Sequence, residues 1–409
     1  MSSLFEFVAR VRQTASPPET PKAANTLKFG LLGAATIALT ALIKPAKSHP
    51  EVVIQAIAAR DKQRAVAYAK KHGIPHVKDS YEALLDDPSI DAVYIPLPAS
   101  SHYEWALKAI SKGKHVLLEK PAVVNAVEAE RLFWSPLLQE PNAPILLEAM
   151  HFRFQPVWQH FLSLVDRTNI NLVTAVAKLP SHMIPSDGNK FEYDMGGGNM
   201  LDLGSYPMYA VRQVMDAEPE ECTKCTVRLS PAPRELCDEA ADARFLFSGG
   251  RIGQITTDLQ ASVTTIPTFN IKVSHKEVTV EDKSLPDGRN KTCVRNIVLN
   301  NFLVAAVWHR IDIEDEFIIR EKEGGRVVRR WSEKQSKKIY TFNDAGIDQP
   351  GEPFWTSYRH QLEQFVNKIR GREGSGLWVS NEDSIAQAKM IDMAYERSGL
   401  PLRPTSKFH

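Results

Sequence analysis

Apolar positions follow two patterns along this chain, and the change comes near Leu172. Before that point, short unbroken apolar runs alternate with helical stretches. The runs are Leu27–Leu32, Val52–Ala59, Asp91–Ile95 and His115–Glu119. Between them, helical spacing spans Ala38 to Leu42, Lys62 to Lys71 (with Asp61 as N-cap), Tyr81 to Leu85 and Tyr103 to Lys112. An unbroken apolar run is what a strand buried on both faces requires. Strands separated by helices imply right-handed crossovers and a parallel, doubly wound sheet. From Leu172 onward strands follow one another with few helices: Leu172–Leu179, Ala243–Phe247, Arg251–Leu259, Thr268–Val273, Asp312–Arg320 and Val327–Trp331. Glu323-Gly324-Gly325 reads as a hairpin turn, and helices Tyr358–Arg370 and Asn381–Arg397 close the chain. This half predicts an α+β unit with a large, mostly antiparallel sheet, one face on the core and one open.

The first residues stand apart. Leu4, Phe5, Phe7, Val8 and Val11 recur at helical spacing, with Arg10 and Arg12 on the polar side. The proline-rich stretch from Thr14 to Pro21 ends that helix and reads as a linker. Residues 1–26 are therefore expected to be a docked or loose amphipathic extension, followed by units at 27–149 and 150–409. Glu6 and the short length argue against a transit peptide, and no basic region precedes an apolar stretch as in a signal peptide.

Composition narrows the classes. The 409 residues carry 50 Lys and Arg against 49 Asp and Glu, so no net basic field exists to hold a nucleic acid. No apolar run approaches the ~18–20 residues that cross a bilayer, so no membrane partner is expected. Four cysteines cannot staple so long a chain, and a reducing, cytoplasmic setting is the simpler reading. Cys222-x-x-Cys225 lacks a second pair at ligand spacing, so no metal is expected. Asn290-Lys291-Thr292 matches a glycosylation sequon without a secretion signal, and Arg329-Arg330 with Lys337-Lys338 suit a solvated sheet edge.

Candidate chemistry lies where strands end. Gly33-Ala34-Ala35-Thr36-Ile37-Ala38 follows the first strand and fits G-x-G-x-x-G/A, with Ala35 in place of the second glycine. That glycine normally lets backbone approach a pyrophosphate, so the added methyl narrows the turn. Arg60 ends the second strand, where a carboxylate would suit a free ribose hydroxyl and an arginine a 2′-phosphate. NADP is favoured over NAD on that ground; a solvated Arg–Asp pair at a helix start is the plain alternative. Two further segments face a ligand beyond the strand ends: Pro96-Leu97-Pro98 with His102, and Glu119-Lys120-Pro121. A glutamate and a lysine that end an apolar strand are costly unless something pairs with them.

These segments, with Gly113–Pro121, Glu148–Pro156 and Gly196–Tyr206, resemble the glucose–fructose oxidoreductase / inositol dehydrogenase family. The nearest likeness is to its dimeric dihydrodiol dehydrogenase and NADP-dependent D-xylose dehydrogenase branch. The resemblance implies a Rossmann dinucleotide-binding domain followed by an open-faced sheet that pairs subunits, hence a homodimer or higher homo-oligomer. It implies a hydride exchanged between NADP and a hydroxyl of a sugar or cyclic diol. Catalytic roles then carry to Lys120, Tyr206 and Asp202. Gly33, Ala35, Thr36, Ile37, Arg60, Pro96, Leu97, His102, Glu119 and Lys120 become the cofactor set. His151 and Arg153 join Tyr206 on the substrate side.

The same residues carry a physical argument. Gly196-Gly197-Gly198 reads as a flexible approach, Ser181 to Tyr193 as an active-site loop, and Asn199 to Met215 as a helix. Asp202 and Tyr206, four apart, would share one helical face. A phenol titrates near ~10, and a neighbouring Lys120 ammonium would lower it toward the working range. The bland alternative makes Tyr206 a core phenol and Asp202 a helix cap. A dinucleotide-binding sensor that uses its open sheet for a partner is the second functional reading.

Overall fold

The computed structural model describes residues 2–184 and 189–408. Helix α1 (Ser2–Ala15) precedes a strand–helix series: β1 (Leu27–Leu32), α2 (Lys44–Lys47), β2 (Val52–Ala58), α3 (Lys62–His72), β3 (His76–Val77), α4 (Tyr81–Leu85), β4 (Ala92–Ile95), α5 (His102–Ser111), β5 (His115–Leu118), α6 (Ala126–Phe133) and β6 (Leu146–Glu148). All six strands run parallel in the order β3-β2-β1-β4-β5-β6. The parallel sheet expected from the apolar runs is present. The helical stretch expected from Ala38 is present as a π-helical segment, Leu39–Ile43, that continues directly into α2, where Pro45 stands in the first turn.

Helix α7 (Pro156–Ser163) then leads to β7 (Ile170–Pro180), α8 (Ser205–Met215), β8 (Pro219–Leu229), β9 (Asp238–Phe247), β10 (Arg251–Ala261), β11 (Thr268–His275), β12 (Val278–Val280), β13 (Arg289–Asn300), β14 (Arg310–Glu321) and β15 (Val327–Lys337). These nine strands form one sheet, β15-β14-β13-β11-β7-β10-β9-β8, with β12 added on β13. Every neighbouring pair is antiparallel except β7 with β10. Strands β8 and β13 escaped the sequence reading because their open faces are polar, so neither shows a long apolar run. Along β15 nearly every residue is exposed, as expected of a solvated edge.

Helices α9 (Ser357–Ile369) and α10 (Asn381–Ser398) return to the parallel sheet. Phe365 of α9 meets Phe29 of β1 edge-on at 6.1 Å, so α9 covers one face. Ile385 and Ala388 of α10 join the core cluster on the other face, with Val93, Ile95 and Leu118. One apolar core therefore runs from the first sheet through α8 to the inner face of the second. Among the described residues no helix is long and apolar enough to cross a membrane.

Candidate active site

The turn after β1 is built for close approach. Gly33 has φ +101°, and a Cβ there would lie 3.0 Å from Leu97 Cδ2. Two α3 side chains hold the turn: Arg64 Nη2 donates to the Ala34 carbonyl at 3.0 Å and the Tyr68 hydroxyl to the Ala35 carbonyl at 3.0 Å. A cavity of about 670 Å³ opens beside it, lined by Gly33, Ala35, Arg60, Arg64, Pro96 and Leu97 among others. Asp61 caps α3 by accepting from the Arg64 amide at 3.0 Å, the role read from its position. The other acids of the cavity have basic partners, Asp79 with Lys62 at 2.5 Å and Glu82 with Lys108 at 3.4 Å. Such a cradle suits an anionic dinucleotide: a turn without a side chain, two guanidinium groups, and carboxylates already engaged.

The expected cofactor set divides. Gly33, Ala35, Arg60, Pro96 and Leu97 come together at this cavity. Thr36 and Ile37 are exposed and do not line it. His102 is buried beneath it, with Nδ1 2.9 Å from the Pro121 carbonyl and Nε2 2.8 Å from the Leu97 carbonyl. It ties the two strand-end segments together instead of facing a ligand, and burial lowers its imidazole to about 4. Glu119 is buried too, accepting from the Tyr94 hydroxyl at 2.5 Å and from the Lys120 amide at 3.2 Å. Burial pushes its carboxyl up.

Lys120, just beyond β5, reaches across to the segment before α8. Its ammonium lies 2.5 Å from Asp202 Oδ1 and 2.8 Å from the Asp202 carbonyl, and 4.7 Å from the centre of the Tyr206 ring. Lys190 pairs with the other Asp202 oxygen. Burial alone would raise the Asp202 carboxyl, but the two ammonium groups hold it well below the ordinary range. The expected Asp202–Tyr206 helical face does not form, because α8 begins only at Ser205. Residues 199–204 are turns tied to the second sheet: the Met200 amide donates to Asp238 Oδ2 at 2.7 Å and Thr257 Oγ1 to Asn199 Oδ1 at 2.9 Å. Nor is the glycine run a flexible approach. A Cβ on Gly197 would lie 2.6 Å from the Glu192 nitrogen, and one on Gly196 2.8 Å from Val124 Cγ1. Gly196 and Gly198 also hold φ +77° and +126°, so these glycines serve close packing.

The Tyr206 hydroxyl stands 3.1 Å from His151 Nε2, and His151 Nδ1 stands 2.8 Å from Ser357 Oγ. The Tyr358 ring lies 4.1 Å from that of His151. These four residues border a second cavity of about 510 Å³. Leu203, Phe269 and Leu303 make much of its wall apolar. The lowered phenol expected from Lys120 is not found. Burial raises the Tyr206 phenol well above its usual value, and Glu119 and Asp202 add to that. The Lys120 charge is spent on Asp202 and the ring face, so it leaves the oxygen protonated. Burial lowers His151 to about 3, with Lys120 adding to the effect. At neutral pH a neutral imidazole thus faces a neutral phenol.

Arg153, expected on the substrate side, is not at this cavity. It donates to the Tyr209 hydroxyl and to Asp383 Oδ2, both at 2.5 Å, and so fixes the 151–154 turn against α10. Of the expected loop 181–193, residues 185–188 lie outside the described residues; Lys190 supplies its contact with Asp202. Cys222 and Cys225 are free thiols on β8, pushed by burial up to about 11 and about 12. Among the described residues no cluster of three or more His, Cys, Asp or Glu could hold a metal ion.

The profile described as "Oxidoreductase family, NAD-binding Rossmann fold" matches residues 27–135, and the GFO/IDH/MocA C-terminal domain matches residues 169–278. The chain belongs to the GFO/IDH/MocA oxidoreductase family. An uncharacterized oxidoreductase of Rhizobium meliloti is 35% identical over 75% of this chain and 90% of its own length. The D-xylose 1-dehydrogenase (NADP(+)) 2 of Haloferax volcanii is 39% identical over 46% of this chain and 56% of that enzyme. The trans-1,2-dihydrobenzene-1,2-diol dehydrogenase of Xenopus tropicalis is 30% identical over 56% of this chain and 66% of its own. The branch resemblance drawn from the motifs thus holds for this GFO/IDH/MocA chain.

Four residues of the site escaped sequence reading. Arg64 and Tyr68 sit at i+4 steps from Arg60, so the helical spacing of α3 was a usable signal. Ser357 and Tyr358 lie at the start of α9, far along the chain, and nothing local marks them.

Proposed function

We propose that this GFO/IDH/MocA oxidoreductase uses NADP to interconvert a ring hydroxyl and its carbonyl in a sugar or cyclic diol. The observation that carries the reading is the Tyr206 hydroxyl, 3.1 Å from His151 Nε2 at the edge of a largely apolar cavity, with Lys120 over its ring. Arg60 and Arg64 hold the 2′-phosphate, and the Gly33 turn admits the pyrophosphate. Bound NADP supplies hydride exchange with the carbon that bears the reacting oxygen. Everything else is done by side chains.

Tyr206 handles the proton. A buried, protonated phenol suits delivery to a carbonyl oxygen, which is the reduction direction. Oxidation would need Tyr206 to lose its proton first, which its burial opposes, so the geometry favours reduction, with neutral His151 orienting the Tyr206 hydroxyl and itself held by Ser357. Asp202 fixes the Lys120 ammonium by an ion pair at 2.5 Å, which sets it against the Tyr206 ring face beside the reacting hydroxyl. Leu203, Leu303 and Phe269 set apolar surface around the exchange and limit the water that reaches it. A second copy of the chain over the open sheet face belongs to the same proposal, and sedimentation of the purified protein tests it.

The decisive experiment follows NADPH oxidation and NADP reduction against aldoses, inositols, cyclic diols and their ketones. The reading expects turnover of at least one class and its near-complete loss in Tyr206→Phe. NADP binding with no turnover of any member would favour a dinucleotide-binding sensor instead.

A further inference from the structure

The second cavity has one wall that comes from the N-terminal extension. Val11, Thr14, Ala15 and Pro17, from α1 and the proline strap after it, border the same space as Tyr206 and His151. We propose that α1 is a specificity-determining wall of the substrate cavity, that Val11 sets how much of a ring substrate fits, and that Arg10 is the positioning residue that latches the wall. This rests on reading the cavity as the substrate site.

The hold on α1 is specific. Arg10 Nε donates to the Ala306 carbonyl at 3.1 Å, and Nη2 to the Val307 carbonyl at 3.3 Å and the Tyr340 hydroxyl at 3.0 Å. The guanidinium carbon lies 3.7 Å from the centre of the Tyr340 ring. Residues 306 and 307 belong to the loop that also contributes Leu303 to the cavity, so the latch joins one cavity wall to another. One turn on, Thr14 Oγ1 donates to the Phe354 carbonyl at 3.2 Å, just before the Ser357–Tyr358 pair. The strap is pinned from the other side: the Thr20 amide donates to the Lys47 carbonyl at 3.1 Å and the Ala23 amide to the Pro50 carbonyl at 2.9 Å.

The helix thus presents its two sides differently. Phe5 and Val8 face outward at 73% and 55% exposure, while Arg10, Val11 and Thr14 turn inward. A branched apolar side chain at Val11 continues the surface made by Leu203, Leu179 and Phe269. Such a surface accepts the apolar edge of a compact ring alcohol. A further hydroxyl set against these carbon side chains would lose its water without replacement, whereas Thr14, Thr40 and Lys44 also line the cavity and could meet one turned toward them. In a pocket of this kind one or two carbon atoms decide roughly tenfold to two-hundredfold in specificity.

The test uses the full chain with Val11→Trp and Arg10→Ala, and trans-cyclohexane-1,2-diol as the probe. Calorimetry reads its binding with and without NADP, and a separate titration reads NADP affinity. The wall predicts that Val11→Trp weakens the diol about tenfold or more with unchanged NADP affinity. It predicts that Arg10→Ala raises KM for any turned-over ring substrate while kcat stays within about twofold, as expected of lost uniform binding. In the same variant, trypsin should cut at Arg12 faster, and Arg10→Lys should recover part of the effect. Equal diol binding in wild type and Val11→Trp overturns the wall, and so does absence of diol binding in the wild type. Loss of turnover across the whole substrate panel would instead overturn the functional reading, since the calorimetric result does not depend on catalysis.

Discussion

The two sheets of this molecule solve opposite problems with the same kind of chain. In the parallel sheet, β1 and β4 are almost wholly buried, and helices cover both faces. In the large sheet the outer strands leave one face open, where β14 and β15 display Asp312, Glu314, Arg330 and Lys334 in cross-strand pairs. A sheet buried on both sides has little freedom in where its strands end, so it suits a fixed cradle such as the Gly33 turn. A sheet with one free face can vary its loops at small cost, which suits the role proposed for it in shaping the second cavity. The groups proposed to react stand where the two meet, with Lys120 at the end of β5 and Tyr206 at the start of α8.

Four measurements would break or sharpen that contrast. The largest effect is expected at the seam: Tyr206→Phe should cost about 10²–10⁴ in turnover, the usual worth of a positioned acid–base group, while NADP affinity holds. Comparable loss of NADP binding would show that the two regions are not separable. Next, the sheets should differ in tolerance. Phe29→Ala empties a fully buried site against Phe365 and should lower unfolding free energy by about 3–5 kcal/mol in chemical denaturation. Trp331→Ala, on the half-exposed edge strand β15 where it stacks on Phe317 at 5.2 Å, should cost about 1 kcal/mol or less in the isolated chain.

Acid should strike both regions alike. Burial holds His102 beside the first sheet and His309 beside the second each at about 4. Unfolded imidazoles bind protons below ~6.5, so the unfolded state takes up more protons between there and about 4. The stability present at neutral pH is therefore lost as pH falls through that window, on the order of 3 kcal/mol for each group. Denaturant midpoints that stay level from pH 7 to pH 4 would contradict this. The smallest effect belongs to the cradle alone. Arg60→Ala should weaken NADP by about 1.5–3 kcal/mol, the range for a hydrogen-bonded charge, and leave NAD nearly unchanged. Equal losses for the two cofactors would remove Arg60 from the 2′-phosphate.

What the sequence determined on its own was set by short-range pattern. Unbroken apolar runs report burial on both faces, so the parallel sheet, its strand ends, and hence Gly33, Arg60 and Lys120 could be located before any coordinates. Tyr206 was found by motif resemblance, because its surroundings carry no periodic signal. The tertiary structure alone decided who meets whom. It placed His151 on the Tyr206 hydroxyl from 55 residues before, and Ser357 of α9 on His151. It paired Lys120 with Asp202, which turned an expected phenolate into a protonated phenol. It packed the glycine run against Glu192 and Val124 and brought α1 over the cavity. Local pattern encodes how deeply a residue is buried. A proton's affinity for an oxygen depends on charges and hydrogen bonds supplied by distant segments, and those are settled only when the chain closes on itself.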